Sequence, residues 1–83
     1  MLVFITLAAV SFGGNLEDGI KAFNSGDFKK AYDLYLVEAK NGNASAQTNL
    51  GTLYATGQGV PQDNTEAVKW FRKAASQGER IAQ

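Results

Sequence analysis

The sequence predicts an all-α chain, an α-α superhelix (solenoid) of helical hairpins, on three observations. The first is an internal echo: Ala31 falls on Ala67, Leu34 on Trp70, Tyr35 on Phe71, Ala39 on Ala75 and Gly42 on Gly78, every pair 36 residues apart. A period of that size marks stacked helical units. The second is the spacing inside each unit, where apolar residues recur every three or four positions between a polar start and a glycine stop. The third is negative. No stretch alternates apolar and polar residues between turn signals, so no strand is expected.

The first element, residues 1–14, reads as a signal peptide or export segment. Leu2 to Phe12 is an apolar run of eleven, too short for the roughly 20 residues that cross a bilayer and within the 7–15 of a secretory h-region. Ser11 and Gly13 sit at −3 and −1 of a cut before Gly14, and Ala9 and Ser11 would serve a cut before Phe12. No Lys or Arg precedes the run, which departs from the usual pattern. A periplasmic or extracellular location is expected from this segment.

A short helix follows from about Leu16 to Asn24. Asp27 is placed to cap the next one, whose apolar positions Phe28, Ala31, Leu34, Tyr35, Leu36 and Ala39 lead to a stop at Gly42. A third helix is expected over Ala44–Thr56, with Ala46, Leu50, Leu53 and Tyr54 on one face. Asn43 reads as its cap, although Asn43-Ala44-Ser45 is also a formal glycosylation sequon. From Asp63 the chain shows a capping-box-like start with Glu66 three residues on. Ala67, Trp70, Phe71, Ala74 and Ala75 then line one face up to an expected end at Gly78, with Arg72 and Lys73 in the last turns.

The echo shifts upstream: Phe23 matches Tyr54 and Gly26 matches Gly57, both 31 apart. An insertion, Gln58–Gln62, in the loop of the second hairpin accounts for the difference. Alanines sit where neighbouring helices should touch, and small side chains let helix axes approach to about 8 Å. Gly51 inside a helix costs about 1 kcal/mol relative to alanine, which marks a close backbone contact.

Composition removes whole classes of chemistry. Of 83 residues, 45% are hydrophobic, but ten of the first twelve belong to that class and every charged residue lies at or after Glu17. The remainder is lean for a self-standing core. With no Cys and no His, disulfides, Cys–His and Ser–His–Asp nucleophiles and His-ligated metals are excluded. A formal net charge of zero argues against nucleic acid and polybasic membrane binding. Gly57-Gln58-Gly59 is only the start of a dinucleotide fingerprint and follows a helix, and Asp63 with Glu66 is explained by capping. No cofactor is expected.

The stretch Asn49-Leu50-Gly51-Thr52-Leu53-Tyr54, then Gly57-Gln58-Gly59-Val60, Asp63, Ala67, Trp70, Lys73-Ala74-Ala75 and Gln77-Gly78 resembles the Sel-one-like repeat, a tetratricopeptide variant with a longer turn inside the hairpin. The unit from Phe23 to Gly42 is similar to the shorter tetratricopeptide-type unit that often precedes it in secreted bacterial proteins. The resemblance divides the chain into a first hairpin over 15–42, a Sel-one-like repeat over 43–78 and, at 79–83, the start of a further, truncated repeat. It implies a non-catalytic module or scaffold that binds a protein or peptide in a concave groove. By transfer through the aligned positions, that groove is lined by Ser45, Thr48, Thr52 and Ala55, with Glu17, Lys21 and Asn24 in the first hairpin. Glu17 and Lys21, four apart, are also placed to pair with each other.

Gly19-Ile20 stands where the family has Leu-Gly, so transfer to the first helix is less direct. The family pattern would continue past Gln83, so a wet surface around Trp70, Phe71 and Ala75, self-association through this C-terminal face and marginal stability are expected. Some cysteine-rich relatives carry a β-lactamase label, which makes a hydrolase the alternative. Those relatives staple each repeat with a cysteine pair absent here, and no serine has the Ser-x-x-Lys context.

Overall fold

The computed structural model describes the backbone of residues 15–82 and the side chains of residues 15–78. The export segment expected over 1–14 lies outside the described residues. Among the described residues four helices follow one another: α1 (15–24), α2 (Phe28–Lys40), α3 (Ala44–Thr56) and α4 (Asn64–Ala82). There is no strand among the described residues. α1 and α2 form one hairpin, α3 and α4 the next, and α3 packs against both α2 and α4.

Each start has a local cause. Asp27 Oδ1 accepts the Lys30 N–H at 3.2 Å, and Asn43 Oδ1 accepts the Ala46 N–H at 3.0 Å, which satisfies donors that the first turn leaves without carbonyl partners. Asp63 does the same for Glu66 N–H at 3.1 Å. Here only half of the expected box is made. The Glu66 carboxylate turns forward to Lys69 Nζ at 2.9 Å, because the Asp63 N–H that it would accept is donated to Tyr54 O at 2.9 Å.

The core is narrow and mostly of small residues. Ala22, Ala31, Tyr35, Ala39, Ala46, Leu50, Leu53 and Ala67 are buried. Leu50 and Leu53 are fully enclosed, each contributing about 1.5–3 kcal/mol through loss of apolar surface to water. Two polar side chains share this interior. Gln47 donates to Ala39 O at 3.1 Å and accepts from Gln77 Nε2 at 2.9 Å, so one amide ties α2, α3 and α4 together. Glu38 is equally buried, and its Oε2 has no hydrogen-bond partner.

Three expectations need correction. α4 does not end at Gly78 but runs through it to Ala82. Gly78 does not take the left-handed conformation that terminates helices. Arg72 and Lys73 therefore lie mid-helix, too far from its end for the macrodipole to favour them. The wet surface expected around Trp70, Phe71 and Ala75 is present: Phe71 and Ala75 are exposed and Trp70 is half-buried. Finally, the close contact at Gly51 is with an aromatic ring, not with a neighbouring backbone: a Cβ there would lie 2.7 Å from Phe71 Cε1.

The longer loop of the second hairpin is anchored at both ends. Gly57 closes α3 in the left-handed region (φ 70) with its N–H on Leu53 O at 2.8 Å. Two residues on, Gly59 (φ 76) lies so close to the start of α2 that a Cβ would collide with the Phe28 carbonyl. The insertion thus folds back over the first hairpin.

Candidate functional site

Six of the seven residues expected in the groove are exposed: Glu17, Lys21 and Asn24 on α1, and Ser45, Thr48 and Thr52 on α3. Ala55 is half-buried. Three- and four-residue spacing puts each set on one stripe of its helix. The two stripes belong to the first helices of successive hairpins.

Between those helices lies a cleft of about 110 Å³ lined by Phe23, Tyr35, Asn49 and Thr52. Thr52 is thus the expected residue that the fold brings to the junction of α1, α2 and α3. Its Oγ1 donates to Thr48 O at 3.1 Å, and its own carbonyl accepts from Thr56 Oγ1 at 2.8 Å. These bonds hold the hydroxyls along the helix, with lone pairs left for a ligand. Lys21 is drawn elsewhere: it lines a separate depression of about 310 Å³ with Asp18, Ala22, Ser25, Asp27 and Lys30. Glu17 and Lys21 do not form an ion pair; among the described residues the pairs are Lys29–Asp33 and Lys69–Glu66.

Sequence reasoning missed the floor of the cleft. Tyr35 reads as core, and it is core, but its ring also reaches the cleft beside Phe23. Burial raises its phenol above the ordinary value. Gly19 packs against this ring: a Cβ there would come within 2.8 Å of Tyr35 Cε1. Asn49 had a signal in the Asn-Leu-Gly motif, but nothing local says that it faces the first hairpin.

An aromatic contact also ties the two hairpins together. The hydroxyls of Tyr32 and Tyr54 are 2.8 Å apart, with their rings edge to face at 5.7 Å between centroids. Burial, with the hydrogen bond to Tyr32 adding to it, pushes the Tyr54 phenol well above its ordinary range. The hydroxyl–hydroxyl bond joins α2 to α3. Among the described residues no group of three or more acidic side chains gathers to hold a metal ion, and no helix is long and apolar enough to cross a membrane.

Residues 44–79 match the Sel1 repeat family. The chain is 37% identical over 60 residues to an exopolysaccharide production negative regulator of Rhizobium leguminosarum bv. viciae, covering 72% of this chain and 22% of that protein. It is 37% identical over 57 residues to the DAP3-binding cell death enhancer 1 of Rattus norvegicus, covering 69% of this chain and 11% of that one. A third relative is the ERAD-associated E3 ubiquitin-protein ligase component HRD3A of Arabidopsis thaliana, 34% identical over 55 residues, with 65% of this chain and 8% of that one covered. The matched region thus spans about a fifth or less of these relatives. No solved structure matches the chain significantly.

Proposed function

Because residues 44–79 are a Sel1 repeat, we propose that the chain is a protein-interaction module, without catalysis of its own, that holds a peptide or protein segment against the first helices of its two hairpins. The observation that carries this reading is the cleft of Phe23, Tyr35, Asn49 and Thr52, which joins three helices under the exposed Thr48–Thr52 stripe. α3 contains no charged residue. Recognition on that wall rests on shape and on hydroxyl and amide hydrogen bonds, and an aromatic floor suits an apolar side chain of the bound segment. The apolar run Leu2–Phe12 supports export, and with it a partner in the periplasm or outside the cell.

The test compares the chain with a Thr48→Arg/Thr52→Arg variant, which fills the groove without touching the core. Partners captured from an envelope extract should be lost from the variant. Identical partners in equal amount would place the binding surface elsewhere.

A further inference from the structure

The chain contains one Asn-Gly pair, Asn41-Gly42, and it lies in the turn that joins the two hairpins. Asn41 caps the end of α2, Asn43 caps the start of α3, and both Asn41 and Gly42 are exposed. An asparagine side chain can close a five-membered imide ring with the next backbone nitrogen, and a glycine there offers no side chain to hinder it. The other five asparagines are followed by Leu16, Ser25, Ala44, Leu50 and Thr65, each with a Cβ beside the attacking nitrogen. The 36-residue echo supplies a comparison, because Gln77-Gly78 stands in the register of Asn41-Gly42. There the side chain is one methylene longer, so closure makes a larger and slower-forming ring, and Gly78 lies inside α4.

At a ψ of 1 the Gly42 nitrogen eclipses the Asn41 nitrogen and is turned away from Cγ, so the turn must open before the ring can close. Little holds it shut. The Gly42 N–H donates to Ala39 O at 3.1 Å, a bond at an exposed turn of the kind that opens locally without unfolding the rest. Gly42 sits at φ 97 with nothing within 4 Å of where a Cβ would lie, and glycine takes either sign of φ about as readily. Asn24, exposed at the end of α1, is better guarded. The N–H that follows it is held by the Lys21 and Ala22 carbonyls at 3.0 and 3.2 Å, and Ser25 Oγ binds Lys21 O as well.

We propose that Asn41 is a self-modifying site, converted without an enzyme to aspartate and isoaspartate, and that the conversion loosens the joint between the hairpins. The Gly42 nitrogen gives up its proton and bonds to Asn41 Cγ; the Cγ–Nδ2 bond breaks, and the amide nitrogen leaves as ammonia with that proton. Water then opens the cyclic imide at either carbonyl. Opening at the main-chain carbonyl gives isoaspartate, which routes the backbone through Cβ and Cγ and adds one methylene between α2 and α3. The Gly42 and Asn43 N–H groups, bonded to Ala39 O and Glu38 O at 3.1 Å each, then fall out of register with those carbonyls. Asn43 is the cap of α3, and the Ala39 carbonyl also holds the Gln47 amide, so the change reaches the buried tie between α2 and α3. Either product sets a carboxylate at the negative end of α2, one turn after the unpartnered Glu38 Oε2. This chemistry is independent of the groove on α1 and α3.

The 83-residue chain is held folded at mildly alkaline pH, beside Asn41→Gln and Asn41→Asp variants checked for native helicity and beside the parent unfolded in urea. Released ammonia, peptide mapping and labelling by a protein isoaspartate methyltransferase read the conversion. Thermal unfolding reads its consequence. Isoaspartate is expected at residue 41 of the folded parent and should be lost in Asn41→Gln. The aged parent should melt below the fresh parent and below Asn41→Asp, which carries the charge without the extra methylene. Conversion spread evenly over the other asparagines, an equal signal in Asn41→Gln, or conversion confined to the urea-unfolded chain would overturn the site. An aged chain that melts with the fresh parent would overturn the loosening of the joint.

Discussion

Phe71 occupies the space that a side chain on Gly51 would need: a Cβ there would lie 2.7 Å from its Cε1 and 2.8 Å from its Cδ1. The first hairpin has the same lock in Gly19 and Tyr35, at 2.8 Å and 2.9 Å. In each hairpin a glycine of the first helix receives an aromatic ring from the second. The two locks differ in what surrounds the ring. Tyr35 is 3% exposed and walled in, whereas Phe71 is 37% exposed and has an open side.

That difference predicts an order of mutational cost. Alanine gains about 1 kcal/mol over glycine in a helix interior, while overpacking costs about 1–3 kcal/mol where nothing can move. Gly19→Ala should therefore destabilise the chain. Gly51→Ala should be close to neutral, because Phe71 can swing outward. Urea unfolding of both variants checks this; a larger loss at Gly51 would mean that Phe71 is held as firmly as Tyr35.

The insertion loop is predicted to be a structural clasp. Gly26 and Gly59 both have positive φ, 87 and 76, so alanine pays the left-handed strain of about 1–2 kcal/mol at either site. Only at Gly59 does a Cβ also strike backbone, the Phe28 carbonyl; at Gly26 nothing lies within 4 Å. Gly59→Ala should lower the melting temperature more than Gly26→Ala, and it should speed amide exchange at the start of α2. Equal shifts would show that the loop is free of the first hairpin.

Alkaline pH should unfold the chain through Tyr54. Its folded-state phenol is raised above the ordinary 10.0, so above about pH 10 the unfolded chain gives up a proton that the folded chain keeps. The stabilisation is complete below that pH and is lost as pH rises beyond it. Tyr54→Phe should cost about 0.5–1.5 kcal/mol at neutral pH and reduce the alkaline loss, with Tyr35 supplying what remains. Denaturant midpoints from pH 7 to 11 measure this. An unchanged alkaline slope in the variant would show that the Tyr32–Tyr54 bond does not couple to folding.

Glu38 should be a site of easy stabilisation. It is buried, with Oε2 lacking a partner, and such a group costs roughly 1–3 kcal/mol. A side chain of similar volume without the charge removes that cost. Glu38→Met is expected to raise the melting temperature at pH 7; a lower one would reveal a partner for the carboxylate in solution.

By itself the sequence determined the helices, their caps at Asp27 and Asn43, the stop at Gly42 and the division into hairpins. These follow from dihedral preference, side-chain capping and the 3.6-residue period, all acting within a few residues. The 36-residue echo also carried the fold class, since units of that size bury an apolar face only by stacking. The Thr48 and Thr52 positions came from the resemblance to the Sel-one-like repeat, and both are exposed. Tertiary structure decided the rest. Which ring fills Gly19 or Gly51, how Gly59 meets Phe28, that Asn49 and Tyr35 floor one cleft, and that Lys21 leaves it for another are set by contacts between helices distant in the chain. The helix of α4 passes Gly78 because, with no left-handed turn imposed there, glycine tolerates helical dihedrals at a cost of only about 1 kcal/mol. Local pattern can name a residue that is free to turn or to pack closely; only the neighbour that arrives decides which.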